Sequence, residues 1–364
     1  EYFVVDLDTR DLVPDLPEAL LKKLERPPVG TTSPEFIRSQ VEIGTPVSQD
    51  ITELSEHLRT MRRFVSETVA EHNMAIISAS THPFAIWGAQ RHVNQERYNL
   101  LARALQGVVR RLLICGMHVH VGIDDRDLRI DLMNQLTYFL PHLLALSGSS
   151  PFWQGEDTGL KSYRPAIFSA LPRTGMPDEF SSWSDYERHV RVLVDTGVIE
   201  DASKLWWDIR PSSRYPTLEM RSADICTRYE DGIAIAALYQ ALVATMFERR
   251  MQNQRWRIYS RMLISENSWR AQRYGVDESL IDFGRSELTP MVELIDELVD
   301  LVREQAEALG SIDYVERIRV IVAEGTSADR QRAVYENALS DGADKDEALR
   351  EIVDHLIVET VEGL

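Results

Sequence analysis

Ile114-Cys115-Gly116-Met117-His118-Val119-His120-Val121-Gly122-Ile123 is the stretch from which the fold is read. Side chains alternate faces along a strand, so His118 and His120 point one way and Met117, Val119 and Val121 the other. One face is apolar and suited to burial. The other offers two imidazoles about 7 Å apart, the rise of two strand residues. Histidine gains little from packing on a strand, so the pair marks either a polar task or an ordinary solvated side. On this stretch alone both readings stand.

Three further stretches share the build. Glu1-Tyr2-Phe3-Val4-Val5-Asp6 sets an acid before an apolar run. Gln40-Val41-Glu42-Ile43-Gly44-Thr45-Pro46 separates Val41 and Ile43 from Gln40 and Glu42. Pro216-Thr217-Leu218-Glu219-Met220-Arg221 separates Thr217, Glu219 and Arg221 from Leu218 and Met220, and pairs with Trp206-Trp207-Asp208-Ile209-Arg210. Together they predict a single antiparallel or mixed sheet, helices on its apolar face and a polar, concave active-site cavity on the other. Carboxylates gathered there would repel one another unless a cation neutralised them. Oxygen donors with an occasional imidazole suit Mg²⁺ or Mn²⁺ rather than a structural zinc. Such hard cations commonly hold nucleotide phosphates as well. Arg210 and Arg221 are placed to clamp a phosphate or a substrate carboxylate in bidentate fashion.

The chain carries no G-x-x-x-x-G-K-[ST], G-x-G-x-x-G, G-x-S-x-G or H-E-x-x-H. An ATP user with this sequence must therefore grip phosphate through metals and arginines on a sheet.

Elsewhere a Pro- and Asp-rich connection, Leu7 to about Pro34, is expected on the surface. Asp50 with Glu53 opens a helix carried by Leu54, Leu58, Met61, Val65 and Val69. Ala75 to Ser80 reads as a strand entering the loop Thr81-His82-Pro83-Phe84. One helix is expected from Asn94 to Leu113, with Leu101, Leu105, Val108 and Leu112 buried, and another from Arg129 to Ser147, broken at Pro141. Ser149 to Ser182 reads as a long functional loop. From Tyr229 the spacing predicts helices at about 230–252, 287–309, 327–338 and 343–360. Strands before residue 222 and helices after it give an α+β fold, and no linker divides residues 1–364.

A formal charge of −18, from 58 acidic and 40 basic residues, argues against nucleic acid or an anionic membrane as the main partner. Two cysteines, Cys115 and Cys226, make no disulfide framework and suit a cytoplasmic setting. No apolar run reaches the ~20 residues of a membrane helix, and Ile233 to Phe247 reads as a buried core helix. The chain starts without Met, directly in a strand, as if part of that strand were trimmed.

These motifs, in this order, resemble the carboxylate-amine ligase family, the bacterial glutamate–cysteine ligase type 2 group related to the glutamine synthetase superfamily. Ser80-Thr81-His82-Pro83-Phe84, Glu266-Asn267-Ser268-Trp269-Arg270 and Gly325-Thr326-Ser327-Ala328-Asp329-Arg330-Gln331 extend the likeness over the whole chain. The resemblance implies a glutamine synthetase-like fold and ATP-dependent joining of a carboxylate to an amine. The acid, L-glutamate in the group's namesake reaction, is activated as an acyl phosphate and then attacked by the amine, there L-cysteine. It implies metal ligands at Glu1, Glu42, His118 and Glu219, with Glu35 a looser candidate. Glu42, Glu219 and Arg221 would serve catalysis, Arg221 by stabilising the transferring phosphoryl group. Arg97, Arg210 and Arg221 would bind ATP or the substrate carboxylate. The family starts Gly-x-Glu-x-Glu, of which this chain keeps only the last glutamate.

Plainer alternatives stand beside these. His120 is a partner to the metal ligands or a packing residue, His82 a loop anchor or a site residue, and Arg164 and Arg173 loop arginines that reach a ligand or only solvent. Arg270 and Arg273 divide the same way. The apolar stripes after residue 287 are core or a homodimer surface. A metal-dependent phosphotransferase or hydrolase, or a nucleotide-binding protein without turnover, would use the same residue types.

Overall fold

The computed structural model describes residues 1–94 and 96–364, with side chains at all of these except 97, 100, 101, 104 and 110. Its strands are β1 (Tyr2–Asp6), β2 (Thr31–Pro34), β3 (Gln40–Gly44), β4 (Met74–Ile77), β5 (Val119–Gly122), β6 (Phe152–Trp153), β7 (Glu156–Asp157), β8 (Thr174–Gly175), β9 (Trp206–Trp207), β10 (Ile209–Pro211), β11 (Thr217–Met220), β12 (Ser279–Asp282) and β13 (Glu287–Pro290). Its helices are α1 (Glu18–Leu24), α2 (Ile51–Ala70), α3 (Glu96–Leu105), α4 (Arg126–Leu136), α5 (Leu140–Ser147), α6 (Arg164–Phe168), α7 (Trp183–Asp195), α8 (Tyr229–Met251), α9 (Arg261–Tyr274), α10 (Met291–Ala308), α11 (Ile312–Glu324), α12 (Ser327–Ser340) and α13 (Lys345–Val361).

The α+β class holds, but the acid-bearing strands divide between two antiparallel sheets rather than forming one. β1 and β3 belong to a four-stranded sheet of order β2-β3-β1-β4, and β5 and β11 to a three-stranded sheet of order β10-β11-β5. Alternation along a strand fixes which residues share a face, not which strand lies alongside. In the first sheet Tyr2 stands opposite Val41 and Phe3 opposite Ile77, and α2 and α13 pack on β4. In the second, Glu219 stands opposite both His120 and Arg210, with Leu218, Met220 and Ile209 buried in the core shared with α4 and α8.

The stretch before β5 joins the two sheets. Gln40 Nε2 donates to the Ile114 carbonyl (2.7 Å), Cys115 N donates to the Ser80 carbonyl (3.0 Å), and Gly116 bridges Asp224. Met117 packs against both apolar clusters. A backbone paired on both sides is held in place by every bond it makes.

Local signals account for several boundaries. Asp50 accepts from Glu53 N (2.8 Å) and caps α2, as the sequence predicts. The break at Pro141 is real: α4 ends at Leu136, a 3₁₀ turn follows, and Pro141 sits in the first turn of α5, where its missing N–H costs nothing. The helix expected from Asn94 to Leu113 stops at Leu105, because Gln106 turns left-handed (φ 49°), and only a 3₁₀ turn, Val109–Arg111, follows. Val108 is therefore exposed, and Leu101 lies outside the described side chains. The Leu7–Pro34 connection is not all surface: Leu12, Val13, Leu16, Leu20 and Leu24 are buried. Ser149 to Ser182 is likewise pinned inward, with Ser149, Phe152, Ser162 and Arg164 buried. α8 has the length and hydropathy of a membrane span, yet 78% of that window is buried in the protein, as expected of a core helix.

Candidate active site

Where the two sheets meet, Glu1, Glu42 and His118 each bring one ligand atom to within 4.8 Å of the others. The four-stranded sheet supplies the two acids and the segment entering β5 supplies the imidazole. Glu1 Oε2 accepts from Gly116 N (2.7 Å), so the backbone beside His118 aims this carboxylate. Glu42 Oε2 accepts from Ser33 Oγ (3.2 Å) on the neighbouring strand. Burial, and then the charge of Glu1, push the Glu42 carboxyl above its ordinary pKa. Burial, and then the Arg221 and Arg164 guanidinia, hold His118 well below the usual imidazole range, so the ring is neutral near pH 7 and keeps a lone pair. Two crowded carboxylates and a neutral imidazole are the donor set a hard divalent cation relieves. The residues fit the group.

Glu219 stands apart from that trio. It is 3% exposed, and its carboxylate accepts from Arg210 Nε (2.8 Å) and Nη2 (3.3 Å) and from Arg221 Nη1. Burial alone would raise its pKa; the Arg221 and Arg210 guanidinia outweigh burial and hold it below the ordinary range. Arg210 also donates to the Ser203 carbonyl (3.0 Å) and to the Leu205 carbonyl, so its donors are largely committed within the protein. Arg221 reaches His118 Nδ1 at 3.4 Å and keeps a buried Nε without a partner among the described residues. His120 is neighbour rather than member: its Nδ1 meets Thr217 Oγ1 at 2.8 Å and its Nε2 stands 3.9 Å from Glu219.

Arg97 falls outside the described side chains, and Glu35 is half-buried outside the trio. The other loop and helix candidates divide cleanly. His82 is a loop anchor, fully buried, with Nε2 on the Arg10 carbonyl (3.0 Å) and Nδ1 accepting from Phe84 N and Ala85 N (3.2 and 3.0 Å). Arg173, Arg270 and Arg273 donate to the carbonyls of Lys204, Ser279 and Gly159. Arg164 is different. It is 4% exposed, donates Nη2 to the Arg221 carbonyl (3.2 Å), and lies where a Cβ on Gly116 would strike its guanidinium. Gly116 is therefore a close-approach glycine.

Two residues at the site were not resolved by the sequence. Arg164 read equally as a loop arginine that reaches a ligand or only solvent, and Asp208 had no role of its own. Asp208, just before β10, has its carboxyl raised to about 6 by burial, against the pull of Arg164, Arg221 and Arg261. Its backbone ties β11 to β8, with its carbonyl accepting from Arg221 N (2.7 Å) and its N–H donating to Gly175 (2.9 Å).

The family model described as glutamate-cysteine ligase family 2 matches residues 1–355. A protein of Rhodospirillum rubrum named "Putative glutamate--cysteine ligase 2" is 54% identical over 368 residues, covering 100% of this chain and 95% of that one. A protein of the same name from Ruegeria pomeroyi is 52% identical, covering 99% and 92%. The chain belongs to glutamate–cysteine ligase family 2. As a family member it is an enzyme, an ATP-dependent carboxylate–amine ligase. Its fold is similar to that of a glutamate–cysteine ligase from Francisella tularensis solved with AMP (TM-score 0.67, 14% identity, 99% of this chain and 87% of that one). It is also similar to part of a bifunctional glutathione synthetase from Pasteurella multocida (TM-score 0.69, 14% identity, 100% and 52%).

Proposed function

We propose that this family 2 ligase joins the carboxylate of L-glutamate to the amine of L-cysteine, with ATP converted to ADP and phosphate. The observation that carries the reading is the meeting of Glu1, Glu42 and His118 beside Arg221. Glu1, Glu42 and His118 would hold Mg²⁺, with Mn²⁺ as its substitute, and the cation would supply charge neutralisation to the nucleotide's phosphates.

In this reading Glu219 serves by holding Arg221 and Arg210 rather than by binding metal. Arg221, fixed between Glu219 and His118, presents positive charge to the phosphoryl group as it passes to the acid's carboxylate oxygen. That transfer breaks the bond between the β–γ bridging oxygen and the γ-phosphorus and forms an acyl phosphate. The amine nitrogen then attacks the acyl carbon, phosphate leaves, and the amine's proton passes to a base. Asp208, a carboxyl with a raised pKa close to Arg164 and Arg221, is suited to take that proton near neutral pH.

The names borne by the relatives support glutamate and cysteine as the pair. The test is a screen of amino acids in both roles with the full chain, scoring ADP and the coupled amide by mass spectrometry. Amide formed in step with ADP from glutamate and cysteine supports the assignment. Phosphate release that stays the same when every amine is left out would favour a phosphotransferase or hydrolase instead.

A further inference from the structure

Asp224 follows shortly after β11, is wholly buried, and takes no part in the steps proposed above. It bridges Gly116 at the seam between the two sheets, and its N–H donates to Ser147 Oγ (3.0 Å). Its carboxylate grips the segment that follows α5. Oδ2 accepts from Ser149 N (3.0 Å) and from Ser150 Oγ (2.7 Å), and both serines are fully buried. Ser150 Oγ in turn accepts from Tyr163 N (2.8 Å) and Arg164 N (3.1 Å), where α6 opens. A hydroxyl has one proton to donate and two lone pairs to accept with. Both lone pairs face N–H groups, so the proton of Ser150 is directed to Asp224. One hydroxyl therefore ties the Asp224 carboxylate to the backbone of Arg164.

Charge makes a second link. Burial pushes the Asp224 carboxyl above its ordinary pKa, and the Arg164 guanidinium is first among the groups that oppose burial, ahead of Ser150, Ser149 and Ser162. Arg164 needs a counter-charge for the same reason: at 4% exposure its guanidinium has lost most of its water. Beside Gly116, its Nη2 donates to the Arg221 carbonyl (3.2 Å). Arg221 N donates to the Asp208 carbonyl (2.7 Å), so the peptide groups on both sides of the Arg221 Cα are held. Where that Cα sits decides how the Arg221 guanidinium meets Glu219 and His118.

We propose that Asp224 is a positioning residue for the ligase reaction: through Ser150 and through its charge it seats Arg164, which holds the Arg221 backbone so that the Arg221 guanidinium meets the transferring phosphoryl group. The inference rests on the role given to Arg221 above and adds the buried contacts that keep Arg221 in place.

The experiment is a double-mutant cycle on the full chain with Asp224→Asn, Arg164→Ala and the two combined. Each is measured for kcat, for KM of ATP and of L-glutamate, and for its urea midpoint. Asp224→Asn keeps the shape of the side chain and removes its charge. It is expected to lower kcat about 10-fold with both KM values within about 2-fold of wild type, the mark of a loss felt in the transition state. Arg164→Ala should lower kcat at least as much, and adding Asp224→Asn to it should cost less than about 2-fold more. Ser150→Ala, which leaves Asp224 in place and cuts its link to α6, should reproduce the kcat loss and carries the cycle where Asp224→Asn does not fold. Losses in kcat that multiply in the combined variant overturn the proposal, because Asp224 then acts independently of Arg164. Wild-type kcat in Asp224→Asn and Ser150→Ala, with Arg164→Ala impaired, overturns it and leaves the role of Arg221 standing. Wild-type kcat in Arg221→Lys overturns the role of Arg221 and the inference with it.

Discussion

Arg221 Nη1 stands 3.4 Å from His118 Nδ1 while the same nitrogen donates to the Glu219 carboxylate. One guanidinium thus couples the strand that holds Glu219 to the imidazole of the metal trio. The relationship separates two kinds of acid at the site. Among the described residues Glu42 has no guanidinium within ion-pair distance, and it is crowded by Glu1, whereas Glu219 is already neutralised by two arginines.

The distinction predicts different losses for two isosteric changes. Glu42→Gln should weaken Mn²⁺ binding, measured by titration with paramagnetic resonance, and reduce turnover by about 100-fold or more, the scale of a lost charge-stabilising group. Glu219→Gln should leave Mn²⁺ affinity near wild type while kcat falls, because Arg221 and Arg210 lose their anchor. Equal loss of Mn²⁺ affinity in both would return Glu219 to the ligand set.

Gly116→Ala tests the close approach of Arg164. A Cβ at this position meets the guanidinium, so Arg164 must withdraw from the Arg221 carbonyl. Turnover is expected to fall at least about 10-fold, with a melting temperature lowered by only a few degrees, since about 1 kcal/mol shifts a domain of 150–250 residues by roughly 2–4 °C and a longer chain by less. Wild-type kcat in this variant would show that Arg164 does not position the site.

His82 makes folding stability depend on pH. Its pKa lies at about 4, lowered by burial against the help of the Arg10 carbonyl, below the ordinary imidazole value. The unfolded chain therefore binds the proton more readily, so stability is full above the unfolded value and declines as pH falls from about 6.5 towards 4. Protonation also removes the Nδ1 acceptor that Phe84 N and Ala85 N use. His82→Asn, which keeps an acceptor but cannot titrate there, should flatten the urea midpoint over that window. An unchanged slope would assign the acid sensitivity to other groups.

Arg62 supplies a structural contrast. It is 2% exposed and donates to the Tyr2 hydroxyl, the Ser78 hydroxyl and the carbonyls of Thr227, Cys226 and Thr360. Arg62→Ala strands those acceptors and should cost at least about 3 kcal/mol in denaturant unfolding, several unmet hydrogen bonds at ~1–3 kcal/mol each. A loss below ~1 kcal/mol would mean that the acceptors find other donors.

The elements that carry the site were legible because each is short and sets acids beside apolar residues. Gln40–Gly44 and Thr217–Met220 appear where polar and apolar residues take turns, and Tyr2–Asp6 as an apolar run behind an acid. What the pattern could not convey was partnership. Glu42 and Glu219 read alike in sequence, yet one lies in the four-stranded sheet and the other against two arginines in the three-stranded sheet. The helices α9 and α11 and the β12–β13 hairpin also escaped notice. α9 is rich in charge, with only Ile264, Asn267 and Ala271 buried, so no apolar stripe announces it. The choice between ligand and solvent for Arg164 stayed open for another reason: its place depends on Gly116, far away in sequence, having no side chain.

The most direct measurement of the central claim uses L-glutamate carrying ¹⁸O in its γ-carboxylate. Activation as an acyl phosphate moves one labelled oxygen into the phosphate released with each amide, read by mass spectrometry of phosphate after a single turnover with ATP and L-cysteine. The account predicts one ¹⁸O per phosphate in the wild type and loss of both products in Glu42→Gln. Amide formed alongside unlabelled phosphate would contradict it.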